Sequence, residues 1–152
     1  MRKLLVLAPI GILLAGCGSS RHHSSARNHA LDQSAARFVV RTQAELRLGE
    51  FGRAWRTLAP AERRLISARR LASCYPRNEF ATTVTFHASR VGDVSWTVPG
   101  TSAPAAAKEV TVTATSPGRP KETFTQHLVR LHGRWAWMLS GHYFELARRG
   151  KC

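Results

Sequence analysis

TFTQHLVRLHGRWAWML, residues 123–139, is the segment from which the fold is best predicted. The first half, 123–131, is predicted as a long β-strand, and the two tryptophans of the second half recur with the period of two that is typical of a strand. His132-Gly133 separates the halves, and a two-residue loop that ends in glycine is typical of a tight hairpin. We therefore predict two antiparallel strands here, with Trp135 and Trp137 on one face of the second.

The region upstream of this hairpin shows the same period of two in shorter runs. Gly-Asp, Pro-Gly and Ser-Pro-Gly clusters, which are typical of turns, separate the runs. We expect a turn at Gly92-Asp93 and a loop of small residues over 101–107. The predicted strands, including the two of the hairpin, cover 80–88, 94–98, 110–114, 123–131 and 134–139.

The periodicity of the preceding region is helical. Apolar residues recur at spacings of three and four from Leu31 to Leu46, which indicates one long amphipathic helix, and Gly49 ends it. Two further helices are predicted, over 50–58 and over 60–75. Helices followed by a run of antiparallel strands predict an α+β domain, with the N-terminal helices packed on one face of a curved antiparallel sheet. The predicted domain covers residues 30–152.

The beginning of the chain has the composition of an export signal. Two basic residues precede a nearly unbroken apolar run over 4–14, which is too short to cross a hydrocarbon layer of ~30 Å but suits a signal peptide. The run leads into the tetrad LAGC, residues 14–17, which resembles the lipobox of bacterial lipoproteins. The resemblance implies a signal peptide over 1–16 and a lipid anchor on Cys17, at the extracytoplasmic face of the cell membrane. The alternative is an ordinary secreted protein whose leader contains a cysteine.

Residues 17–29 separate this signal from the predicted domain. From Gly18 onward they are rich in Ser, His and Arg and have no apolar period, which is typical of a flexible, solvated tether. His22 and His23 are potential metal ligands, but no cysteine or carboxylate lies near them at ligand spacing. We therefore predict a tether here, and we predict neither a metal site nor a cofactor.

Two cysteines remain once Cys17 is assigned to lipid. In exported proteins disulfides persist, so Cys74 and Cys152 are predicted to pair. The alternative is a reactive or metal-binding thiol, for which the sequence offers no companion His/Asp arrangement.

The order of elements is similar to that of the NTF2-like (cystatin-like, cone-shaped) superfamily. The first helix, FGRAWRTL at 51–58, GRWAWML at 133–139 and the final Gly-Lys-Cys carry the likeness, which extends to uncharacterised bacterial lipoproteins of that superfamily. It implies a cup between helices and sheet that can bind a ligand. It also implies that the final cysteine pairs with one after the third helix, as Cys74 is here.

The formal net charge is +14, and 19 of the 23 basic residues are arginine. A charge of this sign attracts polyanions such as nucleic acid, anionic lipid and acidic wall polymers. The arginines are spread along the chain, without the dense stripe and interleaved aromatic residues of a nucleic-acid binder. We therefore predict no nucleic-acid partner. Codon bias is an alternative explanation of the arginine content.

Patterns that would indicate catalysis are missing from the sequence. It contains neither a nucleophile elbow nor a glycine-rich phosphate loop. His87 and His127 lie in predicted strands without a partner carboxylate at a matched position. We therefore predict no catalytic residue and no enzyme. The carboxylates of the sheet half fall at predicted turns, strand starts or the C-terminal tail and are expected to be solvated: Asp93, Glu109, Glu122 and Glu145.

Six aromatic residues could line the implied cup, although they could equally form the core between helices and sheet. With the predicted anchor they suggest a non-catalytic module of the cell envelope that binds a small apolar ligand or an envelope protein. The first alternative is an electrostatic adaptor to anionic lipid or wall polymer. A small enzyme of the isomerase or dehydratase type is the second. The six candidate ligand-binding residues are Phe38, Trp55, Phe86, Phe124, Trp135 and Trp137.

Overall fold

The computed structural model of the chain describes residues 20–75, 83–97 and 104–152. Within these ranges the chain forms five helices and one open sheet of four antiparallel strands in the order β1-β2-β3-β4. The predicted α+β class is confirmed. The helices are α1 (Ser20–Arg47), α2 (Phe51–Arg56), α3 (Pro60–Arg63), α4 (Ala68–Cys74) and α5 (Gly141–Arg148). The strands are β1 (Thr85–Thr97), β2 (Pro104–Thr115), β3 (Glu122–Leu131) and β4 (Arg134–Trp137).

Helix α1 lies across the sheet and contacts β1, β2 and β4. The predicted stripe faces the sheet, since Ala35 and Val39 are fully buried, and Gly49 ends the helix with a φ of 76°. The helix begins at Ser20, ten residues before the expected boundary at 30, so much of the predicted tether is helical. Once a packed helix exists, each added residue gains one hydrogen bond, and no apolar face is needed. Neither α1 nor another helix in the described ranges is long and apolar enough to span a membrane.

The single helix predicted over 60–75 is wrong, because the chain breaks between α3 and α4. Helix α3 ends at Arg63, and Ser67 caps the start of α4, since its hydroxyl accepts a hydrogen bond from the backbone N–H of Arg70 at 3.2 Å. Serine is a strong N-cap residue because its oxygen satisfies a donor that the helix leaves free. Ile66, within the break, is buried and adds to the core.

The turn predicted at Gly92-Asp93 is also wrong. Both residues lie inside β1, where Gly92 pairs with Glu109 and Asp93 with Lys108. The two strands predicted over 80–88 and 94–98 are therefore one strand, bent by an irregularity between Ala88 and Arg90. Asp93 tolerates this position because its carboxylate lies 2.7 Å from the Lys108 ammonium. Residues 80–82 and 98 lie outside the described ranges.

The loop predicted over 101–107 is shorter than expected. Residues 104–107 belong to β2, and 101–103 lie outside the described residues. The predicted hairpin is confirmed, with left-handed φ values of 49° at His132 and 79° at Gly133. Its second strand ends at Trp137. Helix α5 occupies what was expected to be an irregular tail.

The core lies between the helices and one face of the sheet. Trp137 is fully buried at its centre, and its indole N–H donates to the carbonyl of Ala54 at 2.7 Å. Its backbone N–H donates to Thr57, and its carbonyl accepts from Ala59. Trp135 lies on the same face, as predicted, and its indole N–H donates to Ser34 Oγ at 2.9 Å. Trp135 and Trp137 thus join the edge strand β4 to α1 and α2.

The Sγ atoms of Cys74 and Cys152 lie at disulfide distance, with their Cα atoms 4.9 Å apart. This agrees with the predicted pairing. The bond joins the end of α4 to the residues after α5, and Arg70 Nε donates to the Cys152 carbonyl at 3.4 Å. The C-terminal helix is therefore held covalently against α4.

We predict that Cys74→Ala combined with Cys152→Ala lowers the free energy of unfolding by about 4 kcal/mol. The bond closes a separation of 78 residues, and its removal gives the unfolded chain more conformational freedom. Urea unfolding of the wild type and the double variant measures the change, and the wild type in excess reductant is the control. Equal unfolding midpoints for the double variant and the wild type, without reductant, would contradict the prediction.

Candidate functional site

The centre of the implied cup is occupied by side chains. Phe38 is 8% exposed and Trp137 is fully buried, and both belong to the core cluster with Leu71 and Leu128. A ligand therefore has no room in the middle of the helix–sheet interface. The available space lies at one end of that interface.

A cavity of about 350 Å³ opens where the end of α1, the start of β3 and the start of α5 meet. We call it the tyrosine pocket, after the two tyrosines in its wall. Its shape follows from the fold, because α5 leaves the sheet at Ser140 and turns back toward α4. The lining residues are Gln43, Leu46, Arg47, Tyr75, Phe124, Thr125, Gln126, Ser140 and Tyr143.

The apolar wall of the tyrosine pocket is aromatic. The rings of Tyr75 and Tyr143 lie 4.2 Å apart between centroids at an angle of 32°, and Tyr75 also meets the edge of Trp137 at 6.4 Å. Burial, reinforced by the charges of Tyr143 and Glu62, raises the pKa of Tyr75, so its hydroxyl stays protonated at neutral pH. The wall thus offers flat aromatic surface and a neutral hydroxyl.

The polar wall is ordered by a chain of hydrogen bonds. Gln43 Nε2 donates to Gln126 Oε1 at 3.0 Å, and Gln126 Nε2 donates to the Met138 carbonyl at 2.5 Å. Both amides are therefore held in fixed orientations. Arg47, half-buried at the rim, forms no ion pair with a described carboxylate. The wall offers one positive charge and oriented amide groups.

Of the six aromatic residues predicted to bind a ligand, Phe124 lines the tyrosine pocket. Phe38 and Trp137 lie in the core, while the Trp55 indole N–H donates to the Ile66 carbonyl at 2.7 Å. Phe86 lines a shallow groove between α1 and β1, and Trp135 lines a different cleft beside β4. All six residues are predicted at the helix–sheet interface, but in the structure they lie in different environments.

Sequence reasoning missed Tyr75 and Tyr143 as residues that line the pocket. A signal for them existed, because the predicted cysteine pair brings the residue after Cys74 close to the segment before Cys152. Apolar residues at 143 and 147 also have helical spacing, which would have indicated α5.

Glu62 was also missed, and it is the most deeply buried carboxylate of the described chain. It is fully buried, and its Oε2 accepts from the backbone N–H of Leu139 at 2.8 Å, while Oε1 has no partner among the described residues. Burial raises its pKa to about 7, against the lowering effect of the Leu139 hydrogen bond. Glu62 does not line the tyrosine pocket. It titrates near neutral pH inside the core.

The carboxylates expected to be solvated lie at the surface, mostly beside basic groups. Asp93 contacts Lys108, Glu109 lies 3.3 Å from His127, and Glu145 pairs with Arg148. Burial lowers the pKa of His127, although Glu109 opposes the effect, and the ring stacks on Trp96 at 3.8 Å. Within the described ranges no three His, Cys, Asp or Glu side chains are placed to hold a metal ion.

Comparisons with protein-family models, with curated proteins and with solved structures found no match for this chain. The lipobox and NTF2-like resemblances therefore stay predictions. The ligand of the tyrosine pocket has to be inferred from the geometry of the pocket.

We predict that Glu62→Gln stabilises the protein at pH 8 by about 3 kcal/mol and changes its stability little at pH 4.5. A carboxyl whose pKa rises on folding, here from 4.5 to about 7, leaves stability intact below 4.5 and lowers it as the pH rises toward 7. The variant lacks this titration.

Chemical denaturation of both proteins between pH 4.5 and 8 measures the difference. Glu122→Gln, at an exposed carboxylate of β3, controls for the loss of one negative charge. Parallel stability profiles for wild type and Glu62→Gln would show that Glu62 does not titrate in this range.

Proposed function

We propose that this protein is a non-catalytic binding module of the cell envelope, anchored by lipid at Cys17 on the extracytoplasmic side. In this proposal it binds a small ligand with a flat apolar body and a negatively charged group. The observation that carries the proposal is the tyrosine pocket. The anchor itself rests on the apolar run and the LAGC tetrad of the sequence.

The size and aromatic wall of the pocket support a small-molecule ligand. Its volume of about 350 Å³ falls in the range of natural ligand sites, which begins at roughly 300 Å³. Tyr75, Tyr143 and Phe124 provide aromatic surface on which a flat ring can stack. Because the disulfide holds α5 against α4, this surface exists before a ligand arrives, and less ordering is required on binding.

The polar groups favour an anionic substituent on that ligand. Arg47 lies at the rim without a described carboxylate partner, so a carboxylate or sulfonate could take that place. Ser140 also lines the pocket, and its hydroxyl makes no capping bond to α5, which leaves it free to contact a ligand.

The chemistry of the lining favours binding over catalysis. Among the described residues, the pocket is lined by two phenols and one guanidinium but by no carboxylate, imidazole or thiol. General acid–base catalysis needs a group that titrates near the working pH within reach of the substrate. Glu62 has such a pKa but lies outside the lining.

The NTF2-like architecture belongs to the same proposal. It is supported by a long helix across an antiparallel sheet and by a cavity at one end of their interface. The superfamily assignment is therefore an inference from the arrangement of helix and sheet and from the sequence pattern.

We predict that Ser140→Trp abolishes saturable binding of the anionic dye 8-anilinonaphthalene-1-sulfonate, because an indole at this position fills the pocket. Arg47→Gln should weaken the same binding about 3- to 10-fold, since one charged hydrogen bond is lost. Fluorescence titration of the dye gives both affinities.

Ser25→Trp is the matched control, since Ser25 is exposed on α1 and does not line the pocket. It should bind the dye as wild type does. Equal dye affinity in Ser140→Trp and Ser25→Trp would place the dye elsewhere and refute the pocket as the binding site.

We predict that the full chain, expressed in a bacterium that processes lipoproteins, is recovered as a polypeptide that begins at Cys17 and carries acyl chains. It should partition into detergent, because two or more buried acyl chains hold a protein stably in a membrane. Intact-mass spectrometry and detergent partitioning measure both properties.

Cys17→Ser should carry no acyl chain by mass, while Cys152→Ser should still be acylated and partition into detergent. Recovery of the wild-type chain without lipid would exclude the anchor and leave the pocket unaffected.

A further inference from the structure

A second cleft, of about 560 Å³, lies beside β4. One side is the segment 56–63 and the other is the β3–β4 hairpin. No described residue lines both this cleft and the tyrosine pocket. The lining consists of Arg56, Thr57, Leu58, Pro60, Arg63, Leu131, His132, Arg134, Trp135 and Ala136. We call this site the arginine cleft.

The arginine cleft concentrates positive charge without an opposing carboxylate. Arg56, Arg63 and Arg134 line it, and no acidic residue of the described part of the chain does. None of the three forms an ion pair with a carboxylate of the described ranges, whereas Arg53 and Arg148 do. The three guanidinium groups are therefore available to an anion from outside the chain.

The position of Arg63 is fixed by its surroundings. Its guanidinium lies 5.7 Å from the centroid of the Trp55 ring, and its Nε is buried with no hydrogen-bond partner among the described residues. A buried donor without a partner is costly, so an acceptor oxygen in the cleft would stabilise it. This atom points to a ligand that carries oxygen.

The edge of β4 contributes a backbone donor. Trp137 bonds through its N–H and its carbonyl to Thr57 and Ala59, so these groups point away from β3. In an antiparallel strand the residue two positions earlier points its backbone groups to the same side. The N–H of Trp135 therefore faces the cleft, beyond the reach of the bonds made by segment 57–59.

We infer that the arginine cleft binds a phosphate group. Each guanidinium is a fork of donors that suits two oxygens, and three forks with one backbone N–H exceed the two oxygens of a carboxylate. A phosphate offers three or more acceptor oxygens and up to two negative charges. The volume exceeds that of the phosphate alone, so the group belongs to a larger molecule, whose apolar part contacts Leu58, Pro60 and Leu131.

This inference is independent of the proposed ligand of the tyrosine pocket. It assigns a location to the attraction for polyanions that the net charge of +14 predicts in general. A localised site differs from diffuse attraction in that removal of its three arginines weakens anion binding more than removal of three arginines elsewhere.

The test uses the full chain with Cys17→Ser, so that no acyl chain contributes to membrane binding. Isothermal titration calorimetry with inorganic phosphate and with glycerol 3-phosphate measures affinity at fixed ionic strength. The triple variant Arg56→Gln, Arg63→Gln and Arg134→Gln should lose about 30-fold or more in affinity, because three charge-assisted contacts disappear. Arg63→Lys should lie between, since it keeps the charge and loses the fork.

The matched control is Arg27→Gln with Arg69→Gln and Arg90→Gln, which removes the same charge from exposed positions outside both clefts. It should keep phosphate affinity within about twofold of the parent, because diffuse charge contributes little at fixed salt. Thermal unfolding of both triple variants verifies that they remain folded. Equal losses in the two triple variants, or no saturable phosphate binding by the parent, would overturn the inference.

Flotation with phosphatidylglycerol vesicles, and with phosphatidylcholine vesicles as the neutral comparison, distinguishes the sources of the phosphate. Binding to the anionic vesicles that the cleft variant loses and the control retains supports a lipid headgroup. Binding of glycerol 3-phosphate without flotation supports a soluble phosphate ester. Both results support a phosphate site in the cleft.

Discussion

The buried edge of β4 at Trp137 is the constraint on which the rest of the fold depends. The indole N–H, backbone N–H and carbonyl of this residue each bond to a different position in the segment from Ala54 to Ala59. A fully buried indole with an unmade hydrogen bond would be costly, so the segment has to follow the strand closely. These bonds fix the helical layer to β4, an edge strand of the sheet. Both clefts described above have lining residues close to this junction, Thr57 and Ala136 in one and Tyr75 in the other.

The covalent bond between Cys74 and Cys152 works together with this junction. The Trp137 contacts fix the helices that precede β1, while the disulfide fixes the helix that follows β4. Tyr75, which follows Cys74, and Tyr143 on α5 pack against each other between the Trp137 contacts and the disulfide. The pocket wall is therefore built from segments far apart in sequence, and its geometry depends on tertiary contacts rather than on local propensity.

Periodicity predicted the elements whose pattern is local and failed where distant residues decide. The α1 stripe and the β3–β4 hairpin followed from apolar spacing and from the His132-Gly133 loop. Gly92-Asp93 has the composition of a turn, but pairing with β2 makes it part of β1. Local sequence patterns do not show such long-range pairing. For the same reason, candidate aromatic residues could be predicted from the sequence, but which of them share a cavity could not. Tyr75 and Tyr143 become neighbours only through the folded chain.

Lys108 is buried between two layers, and its ammonium lies 2.6 Å from Asp32 on α1 and 2.7 Å from Asp93 on β1. Side chains of a strand alternate between faces, so sliding β1 along β2 by one residue would carry Asp93 to the far side of the sheet. Sliding α1 would withdraw Asp32 in the same way. Either error leaves a buried cation short of a counter-charge, at a penalty that apolar packing in a misaligned state would have to offset. Lys108 thereby couples the position of α1 to the register of β1. The correctly aligned arrangement is favoured over similar compact states.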